Sequence, residues 1–152
     1  KIGGLQFGGP PGTMNLLCWN CRGIGNASTI QELRELAIKF APRVLCLLET
    51  RISGDRAQNL KSTLGYDNSI SVDSSGRSEG LAMYWNNEIN IENLGYSQYH
   101  IDMQISGLGG DPWRLSCFYG EAQTHLRQRT WDTMKNLAAL HNLLWGLYRR
   151  FQ

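Results

Sequence analysis

The sequence has no apolar run long enough to cross a bilayer. The longest such runs, Val44–Leu48 among them, have five residues, where a span needs about 20. Nor does it open like a secretory signal: residues 1–13 carry one charge, Lys1, followed by glycines and prolines, with no apolar stretch. Charge is sparse at 18%, against about 25% in an average domain. Fifteen basic residues against 13 acidic ones leave a net charge of +2. That balance does not announce a nucleic-acid binder, although a local patch would suffice for one. With 41% hydrophobic residues, the chain is neither a disordered polar tract nor a coiled coil. Cysteine and histidine are few and scattered. Cys18 and Cys21 make one C-x-x-C without a second, and His100, His125 and His141 have no partner at metal-ligand spacing. A redox pair also wants a helix N-terminus directly behind it, and here a glycine-rich loop intervenes. Cys18 therefore reads as a small buried strand residue. Four cysteines in a chain that can build a core point to reduced thiols inside a cell.

What is present is one domain's worth of chain, 152 residues, enough to bury about 70% of the unfolded surface. Met14–Trp19 is an apolar run suited to a buried strand, and it ends in the loop Asn20-Cys21-Arg22-Gly23-Ile24-Gly25-Asn26. Thr29-x-x-Glu32 reads as a capping box, followed by a helical stripe from Ile30 to Phe40 that Pro42 stops. Val44–Leu48 is a second buried strand delivering Glu49, which completes a βαβ unit with parallel strands. Gly54–Leu64 reads as a helix capped by Gly65. Tyr66–Val72, Leu81–Trp85, Ile89–Leu94, Tyr99–Ile105 and Trp113–Tyr119 read as further strands, the later ones antiparallel. Thr124–Leu144 reads as a last helix. The order is that of a mixed α/β chain.

Asn20 and Glu49 fall just past the C-terminal ends of neighbouring buried strands, the edge at which open α/β sheets bind ligands. A carboxylate there is an oxygen ligand suited to Mg²⁺. The plainer reading makes Glu49 a solvated strand-end residue paired with Arg51, and spacing alone favours it. Tyr119 closes the last strand, where its hydroxyl would reach a phosphate or where it is an ordinary aromatic. Arg127 and Arg129 with Trp131 suit a basic-aromatic surface or a solvated helix start equally well.

Taken together, these stretches resemble a family. Residues Met14 to Asn26 resemble the opening of the endonuclease domain of plant LINE-type (non-LTR) retrotransposons, within the endonuclease/exonuclease/phosphatase superfamily that includes apurinic/apyrimidinic endonucleases. Leu47-Leu48-Glu49-Thr50-Arg51 resembles the motif carrying its metal-binding Glu, and Gly76–Met83 the next loop and strand. His100-Ile101-Asp102, Trp113-Arg114 and Cys117-Phe118-Tyr119-Gly120 resemble the run into a third motif. The resemblance implies the N-terminal part of a four-layer α/β sandwich, two mixed β-sheets flanked by helices. It implies Mg²⁺ (or Mn²⁺), DNA as partner, a nuclear location, and nicking of DNA that primes reverse transcription. Asn20 and Glu49 would serve the metal, and Tyr119 and Arg22 the substrate. Where the repair-enzyme branch has an acid two residues after the Asn, this chain has Arg22, which disfavours a repair enzyme.

The family's Gly-Asp-Phe-Asn and Ser-Asp-His motifs are absent from these residues. Without a positioned base, about 10²–10⁴-fold of rate is lost, so no useful activity is expected. Residues Trp145 to Gln152 followed by a stop codon can be encoded so that deleting one G gives Trp-Val-Cys-Ile-Gly-Asp-Phe-Asn, the T of the stop completing the Asn codon. The domain reading is thus a Gly/Pro-rich leader or linker at 1–13, a partial endonuclease domain at 14–145, and an out-of-frame tail at 146–152. Flanking genomic bases that fail to restore the motif would defeat the frameshift. A second sheet is expected to be largely missing, leaving an apolar sheet face exposed. The alternatives are a non-catalytic remnant that binds nucleic acid weakly, the superfamily's phosphatase branch, and a thiol-redox protein through Cys18 and Cys21.

Overall fold

The computed structural model describes residues 3–8, 16–73, 80–107, 111–119 and 144–150, and four helical positions at 128, 132, 135 and 136. The elements run β1 (Gly3–Gly8), β2 (Leu16–Asn20), α1 (Ala27–Phe40), β3 (Val44–Leu48), α2 (Gly54–Leu64), β4 (Asn68–Val72), β5 (Leu81–Trp85), β6 (Asn90–Ser97), β7 (His100–Ser106), β8 (Trp113–Tyr119) and β9 (Leu144–Arg150). They form two sheets, ordered β1-β2-β3-β5-β4 and β6-β7-β8-β9. The expected βαβ start is present: β2 and β3 pair in parallel, with Cys18 opposite Cys46 and Asn20 opposite Leu48. β5 then joins β3 antiparallel.

The fully apolar strands follow from their position between two buried layers. Along β2, Leu16 and Cys18 face the other sheet, while Leu17 and Trp19 face the helices. β3 alternates likewise, with Val44, Cys46 and Leu48 inward and Leu45 and Leu47 under the helices. The core between the sheets is completed by Ile101, Met103, Ile105, Leu115 and Cys117 of the second sheet. The helix-side core receives Leu33, Leu36 and Ala37 of α1 and Ala57 and Leu64 of α2.

Local signals set the helix ends. The N-cap of α1 is Asn26, whose side chain accepts from the Thr29 N–H at 2.8 Å. The expected cap at Thr29 is therefore corrected: the Asn side chain offers its carbonyl one turn earlier and absorbs Thr29 as a helical residue. Ala41 ends the helix in the left-handed region at φ 41°, ahead of Pro42. α2 runs from Ser53 as cap to Gly65 at φ 84°, with the Tyr66 N–H returning to the Lys61 carbonyl at 2.8 Å. The Tyr66 hydroxyl donates to the Pro42 carbonyl and the Tyr84 hydroxyl to the Ala57 carbonyl, so both buried phenols are satisfied.

Two expectations change. The second sheet has four strands and covers the inner face of the first, so the exposed apolar face is not there. The chain leaves β5 through residues 86–89 and starts this second sheet with β6. The helix expected over Thr124–Leu144 lies mostly outside the described residues, and Leu144 opens a strand instead of closing a helix. That strand, β9, pairs in parallel with β8, with Tyr119 opposite Arg150. It draws on residues 146–150 of the segment expected as an out-of-frame tail, as β1 draws on 3–8 of the segment expected as a leader, pairing antiparallel with β2.

Candidate active site

β2 and β3 end side by side, and their parallel pairing continues into the loops. The Cys21 N–H donates to the Leu48 carbonyl (3.0 Å), Gly23 to Glu49 (2.7 Å) and Ile24 to Thr50 (3.0 Å). From the other side, the Thr50 N–H reaches the Gly80 carbonyl. The two loops are thereby laced together along one edge.

Asn20 is 1% exposed and Glu49 2%. The Asn20 Nδ2 donates to Glu49 Oε1 at 2.5 Å, and the Asn20 Oδ1 accepts from the Arg22 N–H at 3.0 Å. Both ends of the amide are thus used, which orients it. Glu49 Oε2 pairs with Arg51 Nη2 at 3.5 Å. The solvated-pair reading is half right: the ion pair exists, yet the carboxylate is buried and carries a specific donor. Arg22 is exposed on the loop just beyond Asn20. Tyr119 is 3% exposed at the end of β8, in the inter-sheet core that also holds Cys18 and Leu48.

The backbone here is unusual. Among the described residues four non-glycines have positive φ: Arg22 (50°), Ala41 (41°), Glu49 (56°) and Arg51 (53°). Ala41 caps a helix. The other three lie in the two loops around Glu49. Left-handed backbone at side-chain-bearing residues costs of order 1 kcal/mol or more each and collects at functional sites. Gly23 at φ 93° completes the turn, and a Cβ there would press on Arg51 Cδ at 3.4 Å.

The C-x-x-C is dismantled. Cys21 turns to the helix-side core and donates its S–H to the Leu48 carbonyl at 3.2 Å. Burial pushes its thiol well above the ordinary cysteine range, which suppresses thiolate chemistry. Cys18 instead faces Cys46 and Cys117 across the inter-sheet core.

The sequence reading missed a polar network on the other face of the second sheet. Asp102 accepts from Arg114 Nε (2.8 Å) and Nη2 (2.7 Å) and from Ser116 Oγ (2.7 Å), with all three residues at most 1% exposed. The signal was the period-2 pattern: Asp102 is directly opposite Ser116 in register, with Arg114 two residues away on the same face. His100 lies two residues from Asp102 on β7, stacked on Phe118 at 5.2 Å and bonded through Nδ1 to Ser97 Oγ. Burial lowers the His100 pKa below its usual value of 6.5. The Arg114 charge also lowers it, and Asp102 opposes the shift. A depressed folded-state pKa gives stability that is complete above the unfolded value and is lost as pH falls through 6.5 toward the folded value. Stability should therefore fall below pH 6.5 by up to about 1.4 kcal/mol per pH unit from this one proton. Urea titrations of wild type and His100→Gln from pH 8 to 5 isolate the effect, because the carboxylates titrate in both. Parallel profiles would refute it.

No family model and no curated protein matches the chain. Solved structures do. The AP endonuclease LMAP of Leishmania major is similar at a TM-score of 0.59 and 16% identity, over 93% of this chain and 56% of that one. The endonuclease domain of TRAS1, a telomere-specific non-LTR retrotransposon, is similar at 0.56 and 10% identity, over 87% and 57%. D. rerio TDP2, humanized by 14 mutations, is similar at 0.56 and 13%, over 80% and 53%. The chain spans little more than half the length of each. At these identities the likeness is one of fold: two sheets face to face with helices outside, as the resemblance in sequence implied.

Proposed function

We propose that the chain is the Glu49-bearing part of a Mg²⁺-dependent phosphodiester hydrolase domain that acts on DNA, of the LINE (non-LTR) retrotransposon kind. The observation that carries this reading is the buried Glu49–Asn20 pair where two parallel strands end, with Glu49 itself in left-handed backbone. The donor suits the ion: a carboxylate is a hard oxygen ligand, and Mg²⁺ commonly takes one or two carboxylates plus substrate phosphate oxygens. Bound there, Mg²⁺ would supply Lewis-acid stabilisation of charge on the phosphoryl oxygens. Glu49 would hold it, Asn20 would fix the carboxylate, and exposed Arg22 would meet the DNA backbone. Tyr119, from the end of β8, would contact the scissile phosphate. Two of the similar structures are named as endonucleases, one from a non-LTR retrotransposon, which supports DNA as substrate.

These 152 residues on their own lack the family's activating Asp and its His. β9 runs parallel to β8 and ends in Tyr148-Arg149-Arg150, not in Gly-Asp-Phe-Asn. We therefore propose that this half-site binds metal and DNA without cutting. In a supercoiled-plasmid assay with Mg²⁺, wild type and Glu49→Ala should nick at the same background rate, while fluorescence anisotropy on a DNA duplex shows weak binding that Mg²⁺ strengthens only in the wild type. Glu49-dependent nicking would overturn the inactivity. Binding indifferent to both Mg²⁺ and Glu49 would favour a plain remnant.

A further inference from the structure

Three of the chain's four cysteines meet at one point between the sheets. Cys18 and Cys46 are register partners on β2 and β3, and Cys117 reaches them from β8 of the opposite sheet. Their Sγ atoms all lie within 4.8 Å of one another, and the side chains are 3%, 0% and 0% exposed. Each position follows from strand alternation: Cys18 is two residues from Leu16, Cys46 two from Leu48, and Cys117 two from Leu115, all facing the inter-sheet core. Met83, the register partner of Cys46 on β5, adds a thioether to the same core.

Buried cysteines often serve only as small apolar fillers. Three that converge from three strands and two sheets do more, because they place three soft donors around one centre. With metal–sulfur bonds of about 2.3 Å, sulfurs sharing one ion sit about 4 Å apart, so the observed spacing needs little adjustment. Sulfur selects thiophilic ions and rejects Mg²⁺, which separates this cluster chemically from Glu49.

We propose that Cys18, Cys46 and Cys117 form a site for one thiophilic d¹⁰ cation, Zn²⁺ or its softer analogue Cd²⁺, that ties the two sheets together. On binding, three S–H bonds break, their protons pass to solvent, and three metal–sulfur bonds form to the resulting thiolates. No electron changes hands. The divalent ion offsets two of the three thiolate charges, which removes most of the cost of ionised sulfur in an apolar core. Because the cluster is buried, the ion enters as the sheets come together, so that binding and folding are linked.

The test is to refold the full chain under a phosphine reductant with Cd²⁺ and remove excess ion. The expected result is one Cd²⁺ per chain, a thiolate-to-metal charge-transfer band in the ultraviolet and a raised melting temperature. Cys117→Ser should weaken binding by at least roughly tenfold, whereas Cys21→Ser, on the other core, should leave the band intact. X-ray absorption of the loaded wild type should count three sulfur neighbours, and it decides the matter if Cys117→Ser fails to fold. No retained ion, a band that depends on Cys21 as much as on Cys117, or a shell of nitrogen and oxygen would overturn the proposal.

Discussion

Arg114→Leu is expected to lower the unfolding free energy by about 3–5 kcal/mol. The guanidinium gives Asp102 two of its three hydrogen bonds in a place where neither residue is more than 1% exposed. Removing it leaves a buried carboxylate with only the Ser116 hydroxyl. The cost is that of an uncompensated charge and exceeds any favourable contribution of the pair itself. The double change Asp102→Leu with Arg114→Leu should recover most of the loss, since apolar replacement of a whole buried pair is often neutral or better. Urea denaturation of the two single variants and the double one closes the cycle. A loss below about 1 kcal/mol for Arg114→Leu would mean the pair is effectively solvated.

Trp19→Ala should cost about 3–5 kcal/mol, the range for emptying a large aromatic site in a core. Trp19 is 1% exposed on the helix side of β2, among Leu33, Leu36 and Leu47. Its indole N–H finds no hydrogen-bond partner among the described residues. Trp19→Phe should therefore cost much less than its lost volume suggests, because it also removes a buried, unsatisfied donor worth about 1–3 kcal/mol. Thermal and urea unfolding of the two variants measure the contrast. Equal losses for Phe and Ala would show that the indole N–H is satisfied after all.

How much of this was legible in the sequence depends on the range of the interaction. The bounds of β3, α2, β5 and β8 follow from local pattern, and they were read correctly because apolar runs, Gly65 and short turns are signals within a few residues. Asn20 and Glu49 were legible as candidates because each is the polar residue that ends a buried run. Their hydrogen bond was not, because it depends on the parallel register that sets Asn20 beside Leu48. Period-2 alternation identifies a strand but not the sheet it joins, so the two sheets follow from the family resemblance while the completeness of the second, four strands instead of a remnant, does not. β1 is glycine-rich and β9 carries Arg149 and Arg150, so neither has the apolar signature of a strand. The Asp102–Arg114–Ser116 network and the Cys18–Cys46–Cys117 cluster likewise need cross-strand partners that spacing along the chain does not reveal.

The central claim, that Glu49 and Asn20 form a divalent-cation site, is tested most directly by Mn²⁺ titration of the ¹⁵N-labelled chain followed by NMR. Paramagnetic broadening should appear first at the Asn20 side-chain amide and at the backbone amides of residues 21–24 and 49–51, and it should vanish in Glu49→Gln at the same Mn²⁺ concentration. Broadening that spares these residues, or that persists unchanged in Glu49→Gln, would contradict the assignment.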